Sequence, residues 1–252
     1  MSTYISTAKV AMSISVIVPA YNEERYIGET LNNLRRANDY LLKREGISAE
    51  IIVVDNGSTD STASIALSSG AKVIKEPEQS VARARNVGAN GASGNLLVFI
   101  DADVSVPERL LCRITEAMKD EDCVGGAVDT IYQPDSFCVR GYLQMWRLLG
   151  KLAGMAQGAT QFCRRDVNAC LGGYDETIYM GEDVDFYWRL KRFAKSHLGR
   201  VCFIQDIQVV PSTRRFDRWS FWRMLLWTNP LFILIFRRRK GPWKEWYSTM
   251  TR

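Results

Sequence analysis

A single histidine, His197, stands among 252 residues. That scarcity argues against a His-based zinc site and against a Ser-His-Asp triad. Six cysteines (Cys112, Cys123, Cys138, Cys163, Cys170, Cys202) form no C-x-x-C pair and no metal-finger spacing. Several lie in apolar surroundings, so reduced, buried thiols of a cytosolic protein are expected. Met1 to Met12 lacks the basic start and apolar stretch of a secretory leader. The longest apolar run, Leu231 to Phe236, is far too short to cross a bilayer. No G-x-G-x-x-G follows a strand, which leaves a dinucleotide cofactor without support. There is no internal repeat and no low-complexity linker.

What is present suffices for a substantial core: 46% hydrophobic and 24% charged residues, in a length that fits one large domain or a core with an appendage. The net charge of +5 is unevenly spread. From Arg214 onward Lys and Arg outnumber Asp and Glu ten to two, so the first 213 residues carry three net negative charges. Five of the seven Trp also fall in that tail.

The body alternates strands and helices. Ile14–Val18, Ile51–Val54, Val73–Ile74 and Leu96–Ile100 read as strands. Glu23–Leu42, a segment from the Ser58-Thr59-Asp60 cap cluster to Gly70, and Gln79–Ala92 read as helices. Such alternation with short connections predicts an α/β fold with a mostly parallel, Rossmann-like sheet flanked by helices. Beyond Asp103 the expected elements are helices over Pro107–Met118, Gly141–Leu152 and Glu182–Phe193. Strands are expected over Val124–Val128 and Val201–Val210, with a short strand-turn-helix around Thr160–Leu171. The organisation expected is one domain over 13–213, with a nucleotide-binding half (13–103) and an acceptor half (104–213), then a basic, Trp-rich helical tail over 214–252.

Asp101-Ala102-Asp103 closes the apolar run Leu96–Ile100. A buried strand would deliver both carboxylates to the carboxyl edge of the sheet, where open α/β sheets bind ligands. Two hard oxygen donors there suit Mg²⁺ or Mn²⁺ carrying a diphosphate; an acidic turn is the plainer alternative. Pro19-Ala20-Tyr21-Asn22-Glu23 ends the first strand. Glu23 could bind sugar hydroxyls or merely complement a helix dipole. Asp55 ends the second strand, where a carboxylate can accept from a ribose or a base N–H. Ser58, Thr59 and Asp60 read as helix caps. Arg83 and Arg85 lie two apart, so at most one faces a ligand. Gly88, Gly91 and Gly94 read as close packing against the sheet. Asp185 has Arg189 four residues on and reads as structural; Asp183, beside Glu182 after the flexible Gly172–Gly181 stretch, does not dismiss so easily.

Taken together these segments resemble glycosyltransferase family 2 of the GT-A fold. The matching stretches are Val16–Glu23, Val53–Asp60, Ala84–Gly88, Phe99–Asp103, Gly172–Glu176 and Gly181–Asp183, in the family's order over roughly 13–210. The resemblance implies an inverting transfer from a nucleotide-diphosphate sugar to a hydroxyl-bearing glycan or glycolipid, in polysaccharide or glycolipid assembly. It implies that Pro19, Tyr21, Glu23 and Asp55 border the nucleotide. Asp101, Ala102 and Asp103 would serve ribose and metal, Arg85 would face the donor, and Asp183 would be the catalytic base. Many relatives place a His after the last core strand. Here that stretch is Pro211-Ser212-Thr213-Arg214-Arg215, so Arg214 or Arg215 is the candidate phosphate clamp and the metal's third protein ligand is left open. A sugar nucleotidyltransferase would want a Gly-rich basic loop after the first strand, which Pro19–Glu24 lacks. A non-catalytic sugar- or lipid-binding protein is the remaining alternative.

The tail sets Trp219, Trp222, Trp227 and Leu231–Phe236 beside Arg237-Arg238-Arg239-Lys240. Aromatics next to a basic cluster suit an anionic bilayer surface, which would place the protein in the cytoplasm, peripheral on the membrane. The alternative is a tail packed on the body. Nucleic acid is not expected as a partner, because the charge is local and no nucleic-acid motif accompanies it.

Overall fold

The computed structural model describes residues 11–243 except Ala153, Gln157 and Lys240, with backbone alone for Arg215, Arg218, Phe221, Pro230 and Leu231. The readings of Met1 to Val10, of the Arg215 side chain and of the tail beyond Trp243 lie outside the described residues.

Eight strands form one sheet: β1 (Ile14–Ala20), β2 (Ala49–Asp55), β3 (Lys72–Lys75), β4 (Leu96–Ile100), β5 (Val104–Ser105), β6 (Cys123–Thr130), β7 (Thr160–Arg164) and β8 (Arg200–Pro211). Their spatial order is β3-β2-β1-β4-β7-β6-β8-β5. The first four run parallel, while β7 inserts antiparallel between β4 and β6. β6 and β8 pair in parallel, and two-residue β5 closes the edge antiparallel to β8.

All seven residues of β1 are buried, as a parallel strand covered on both faces requires. Val16 and Val18 point to one side, where α1 (Ile27–Glu45) and α4 (Leu110–Met118) pack on them. Ile17 points to the other, with Val54 and Phe99, under α3 (Val81–Asn90) and α7 (Glu182–Ser196). α1 buries Ile27, Leu31, Leu34 and Leu41 along one stripe and stops at Gly46, whose left-handed φ of 69° lets its N–H reach Leu42 O. α3 lies close enough to the sheet that a Cβ on Gly88 would sit 2.4 Å from Ile17 Cγ2 and 3.0 Å from Val54 Cγ2. That is the close packing its sequence implied.

Two local readings change. The first helix begins at Ile27, not Glu23, because Glu23–Tyr26 form a turn in which Tyr26 and Ile27 N–H both donate to Glu23 O at 2.9 Å. Of the expected cap cluster, only Asp60 serves the start of α2 (Thr62–Ser68), accepting from Thr62 N at 2.9 Å. Ser58 Oγ and Thr59 N instead bond Asn22, stapling the loop after β1 to the loop after β2.

Two further helices flank β7 in the chain, α5 (Phe137–Leu152) and α6 (Arg165–Leu171), and three short ones follow β8: α8 (Arg214–Arg218), α9 (Phe221–Trp227) and α10 (Pro230–Phe236). The described tail packs on the body. Trp219, Trp227 and Trp243 are buried together against Tyr179, Met180 and Phe232. Arg238 pairs with Asp175 at 2.9 Å, and Arg237 O accepts from Tyr179 N at 2.7 Å. Trp222, Leu234 and Ile235 remain on the outside. No helix among the described residues is long and apolar enough to cross a membrane. All six cysteines are free thiols, with Cys138 and Cys170 exposed and the others wholly or partly covered.

Gly88→Val should drive a branched side chain into the β1–β2 face and cost about 1–3 kcal/mol. Urea unfolding reads this as a lower midpoint at unchanged slope; an unchanged midpoint would mean α3 is not seated as described.

Candidate active site

The carboxyl ends of β1, β2 and β4, with the start of β7, open onto one cavity of about 370 Å³. Pro19, Tyr21, Glu23, Arg85, Asp101, Ala102, Asp103 and Asp183 all line it. Asp55 and Arg214 do not; they stand behind its wall. Asp55 Oδ1 accepts from Ser58 N at 3.0 Å, closing the turn after β2. Its neighbour Asn56 ties down the following loop, donating to Glu76 O at 3.0 Å and Glu78 O at 2.6 Å and accepting from Ser80 N at 2.8 Å. Ser80 Oγ then caps α3, which sets Arg85 one turn inside the helix.

Arg85 joins the two halves of the site. Its side chain is only 3% exposed and forks between Asp101 Oδ1 and Glu182 Oε1, each at 2.8 Å. The guanidinium lies 5.0 Å from the centroid of the Tyr174 ring. Tyr174 OH donates to Gln161 Oε1 at 2.9 Å, and Gln161 Nε2 donates to Asp183 O at 2.9 Å. Arg83 points elsewhere, to Glu76, Glu78 and Glu176, as the spacing of the two arginines implied. Asp185 holds Arg189 at 2.8 Å, one turn along α7.

Asp183 lies flat against the chain: a Cβ on Gly158 would stand 2.2 Å from both Cβ and Oδ2 of Asp183. Burial pushes the Asp183 carboxyl up, against the opposing pull of Arg85 and with further help from Asp101. Burial likewise lifts Glu182, to about 7, again opposed by Arg85 and reinforced by Asp183. Glu182 can therefore exchange a proton near neutrality, and Asp183 is a stronger proton acceptor than an ordinary aspartate.

Arg214 reaches back across 191 residues to the loop after β1. Its guanidinium grips Glu23 with two hydrogen bonds, one at 2.7 Å to Oε2, and approaches Asp103 Oδ2 at 3.4 Å. It also covers the Tyr26 ring at 4.5 Å. A role on phosphate would require it to exchange carboxylate for phosphate. Asp103 is braced from the same segment, its carbonyl accepting from Ser212 N at 2.9 Å.

Among the described residues no cluster of three or more His, Cys, Asp or Glu could hold a metal by itself. Asp101 and Asp103 nevertheless supply two hard oxygen donors at the cavity, partly exposed. That set fits a divalent cation whose other ligands come from a bound diphosphate and water. Sequence reasoning missed the far wall, where Asp129, Trp146, Arg147 and Lys151 line the same cavity. The available signal was the i,i+4 spacing of Arg147 and Lys151 on a helix whose intervening residues, Leu148 and Leu149, are apolar.

A family model described as glycosyl transferase family 2 matches residues 15–172. The chain is 30% identical over 184 residues to glycosyltransferase AglE of Haloferax volcanii, covering 68% of this chain and 59% of that protein. It is 30% identical over 178 residues to the undecaprenyl-phosphate 4-deoxy-4-formamido-L-arabinose transferase of Pseudomonas fluorescens, covering 66% and 47% respectively. The chain thus spans roughly half the length of these curated relatives. The Pyrobaculum calidifontis mannosyltransferase PcManGT, solved in complex with GDP-Man and Mn²⁺, superposes with a TM-score of 0.67 at 22% identity, covering 96% of this chain and 72% of that one. S. aureus TarS 1-349 in complex with UDP-GlcNAc gives 0.60 at 20% identity, covering 80% and 59%. The fold is the GT-A fold of these structures.

Arg85→Gln removes the cation that opposes the rise of the Glu182 and Asp183 carboxyls, so their charged forms become less favourable and Glu182 should titrate above about 7. Carbon-13 shifts of the Glu182 carboxyl against pH measure this. A midpoint that stays or falls would show that Arg85 does not govern the pair.

Proposed function

The chain belongs to glycosyl transferase family 2, and from that premise we propose that it moves a sugar from a nucleoside-diphosphate sugar to a hydroxyl acceptor in one inverting displacement. The observation that carries the reading is Asp183: a half-buried carboxylate, raised above its ordinary 3.8, in the same cavity as the Asp101–Asp103 pair and next to Glu182, which Arg85 ties to Asp101. The base thereby faces the acceptor while a separate acidic pair faces the leaving group.

In this reading the nucleotide lies over the ends of β1, β2 and β4, bordered by Pro19, Tyr21 and Glu23, with Asp55 supporting the floor. Asp101 and Ala102 border the ribose and diphosphate. Arg85 orients Asp101 and Glu182 by bonding both. The acceptor hydroxyl gives its proton to Asp183 as its oxygen bonds to the anomeric carbon; the bond to the diphosphate breaks on the opposite face, and its electron pair leaves with the nucleotide. A divalent cation, Mg²⁺ or Mn²⁺, held by Asp103 beside Asp101, would neutralise the charge developing on that diphosphate. Arg214, released from Asp103, would then meet phosphate. The GDP-Man and Mn²⁺ bound by the Pyrobaculum mannosyltransferase support this arrangement. We place the activity in polysaccharide or glycolipid assembly in the cytoplasm. The outward Trp222, Leu234 and Ile235 next to Arg237–Arg239 support a peripheral position on an anionic membrane.

Incubation with Mn²⁺ and a panel of UDP-, GDP- and dTDP-sugars tests the reading through donor binding and slow donor hydrolysis. Asp183→Asn should cut transfer by about 10²–10⁴-fold while donor affinity holds, since the base acts on the acceptor. Asp103→Ala should instead lose metal-dependent nucleotide binding. Near-normal turnover by Asp183→Asn, or no response to any nucleotide, would overturn the assignment.

A further inference from the structure

The far wall of the cavity holds more positive charge than the transfer needs. Asp129, near the end of β6, is 2% exposed and receives Arg147 Nε at 3.0 Å, a second Arg147 N–H, and Lys151 Nζ at 3.0 Å. Burial alone would raise the Asp129 carboxyl, but these bonds hold it below its ordinary value. Two cations against one ionised carboxylate leave an excess positive charge fixed in the wall. Arg147 Nη1 has no hydrogen-bond partner among the described residues, and one turn of the same helix also carries Trp146, whose indole Nε1 is buried without an acceptor. A buried N–H without an acceptor is a rare arrangement in a folded protein. Trp146, Arg147 and Lys151 all line the cavity.

The strand order fixes where this charge lies. Along the sheet edge come β2 and β1, then β4 with Asp101, then β7, then β6 with Asp129. Asp183 sits over the β7 end, against Gly158 and held by Gln161. The cationic pair is therefore on the side of the base away from the residues that border the nucleotide. Resting on the transfer proposed above, we propose that Arg147, Lys151 and the Trp146 indole bind a phosphate group carried by the acceptor, whose hydroxyl then reaches Asp183. A phosphate oxygen accepts from Arg147 Nη1 and Trp146 Nε1, and Lys151 supplies the balancing charge.

α5 also indicates how such an acceptor arrives. Its cationic side faces the cavity, while Met145, Leu148, Leu149 and Leu152 are exposed on the opposite side, an inversion of the usual amphipathic helix. An apolar stripe of that kind beside a phosphate subsite favours a phosphate borne on a lipid over a soluble one.

Calorimetry on the full chain, with the nucleotide site filled by nucleoside diphosphate and Mn²⁺, tests the subsite. The probes are farnesyl phosphate against farnesol, and glycerol 3-phosphate against glycerol. The phosphorylated member of a pair should bind and its alcohol should not. Lys151→Gln, which leaves the Arg147–Asp129 pair intact, should weaken phosphate binding by about tenfold or more, and Lys151→Arg should restore it. Farnesyl phosphate binding tighter than glycerol 3-phosphate supports a lipid source, and the reverse order a soluble one. Unchanged affinity in Lys151→Gln, or farnesol binding as well as farnesyl phosphate, overturns the proposal. Nucleotide titration of the unaltered protein reports separately on the donor site, so failure of the transfer reading is told apart from failure of the subsite.

Discussion

The site depends on one buried guanidinium. Arg85 joins the end of β4 to the start of α7, and it is the cation set between Asp101 and Glu182, with Asp183 beside them. Breaking such a pair leaves an uncompensated charge, at a cost of about 3–5 kcal/mol. The same contact therefore fixes geometry and opposes the rise that burial gives the Glu182 and Asp183 carboxyls. Tyr174 and Gln161 carry its position on to the backbone of Asp183, so the end of β4 and the start of α7 are held in one framework.

A second arginine performs the matching task at the other edge. Arg214 fastens the loop after β1 to the segment after β8 through Glu23 and Asp103. The sheet brings together the three strand ends, and these two arginines turn them into a charged cavity with fixed walls. The aromatic tail continues from Arg214 and buries Trp219, Trp227 and Trp243 against the segment just before α7, so it supports the start of α7 while leaving other apolar groups outside.

Much of this was legible in the sequence because it is local. Leu96–Ile100 ends at Asp101 in the structure as in the pattern, and the strand-helix alternation through 103 specified the parallel half. The spacing of Arg83 and Arg85 showed that one must turn away, though not which carboxylates the other would join. Contacts distant in sequence were not legible. Glu23 meets Arg214 only because β8 returns beside β5, a strand too short to leave a pattern. Asp129 reads as an ordinary polar residue within its strand until Arg147 and Lys151 close over it. α5 misleads because its apolar stripe faces outward, so a reading that buries that stripe would place the cations on the surface.

The central claim is that one carboxylate, Asp183, delivers the acceptor to the face opposite the departing diphosphate. The anomeric configuration of the product, read by proton NMR of the newly formed glycosidic linkage before any mutarotation, tests it most directly. The account predicts the configuration opposite to that of the donor. Retention would require a second displacement and a nucleophile on the other face of the sugar, and would contradict the role given to Asp183.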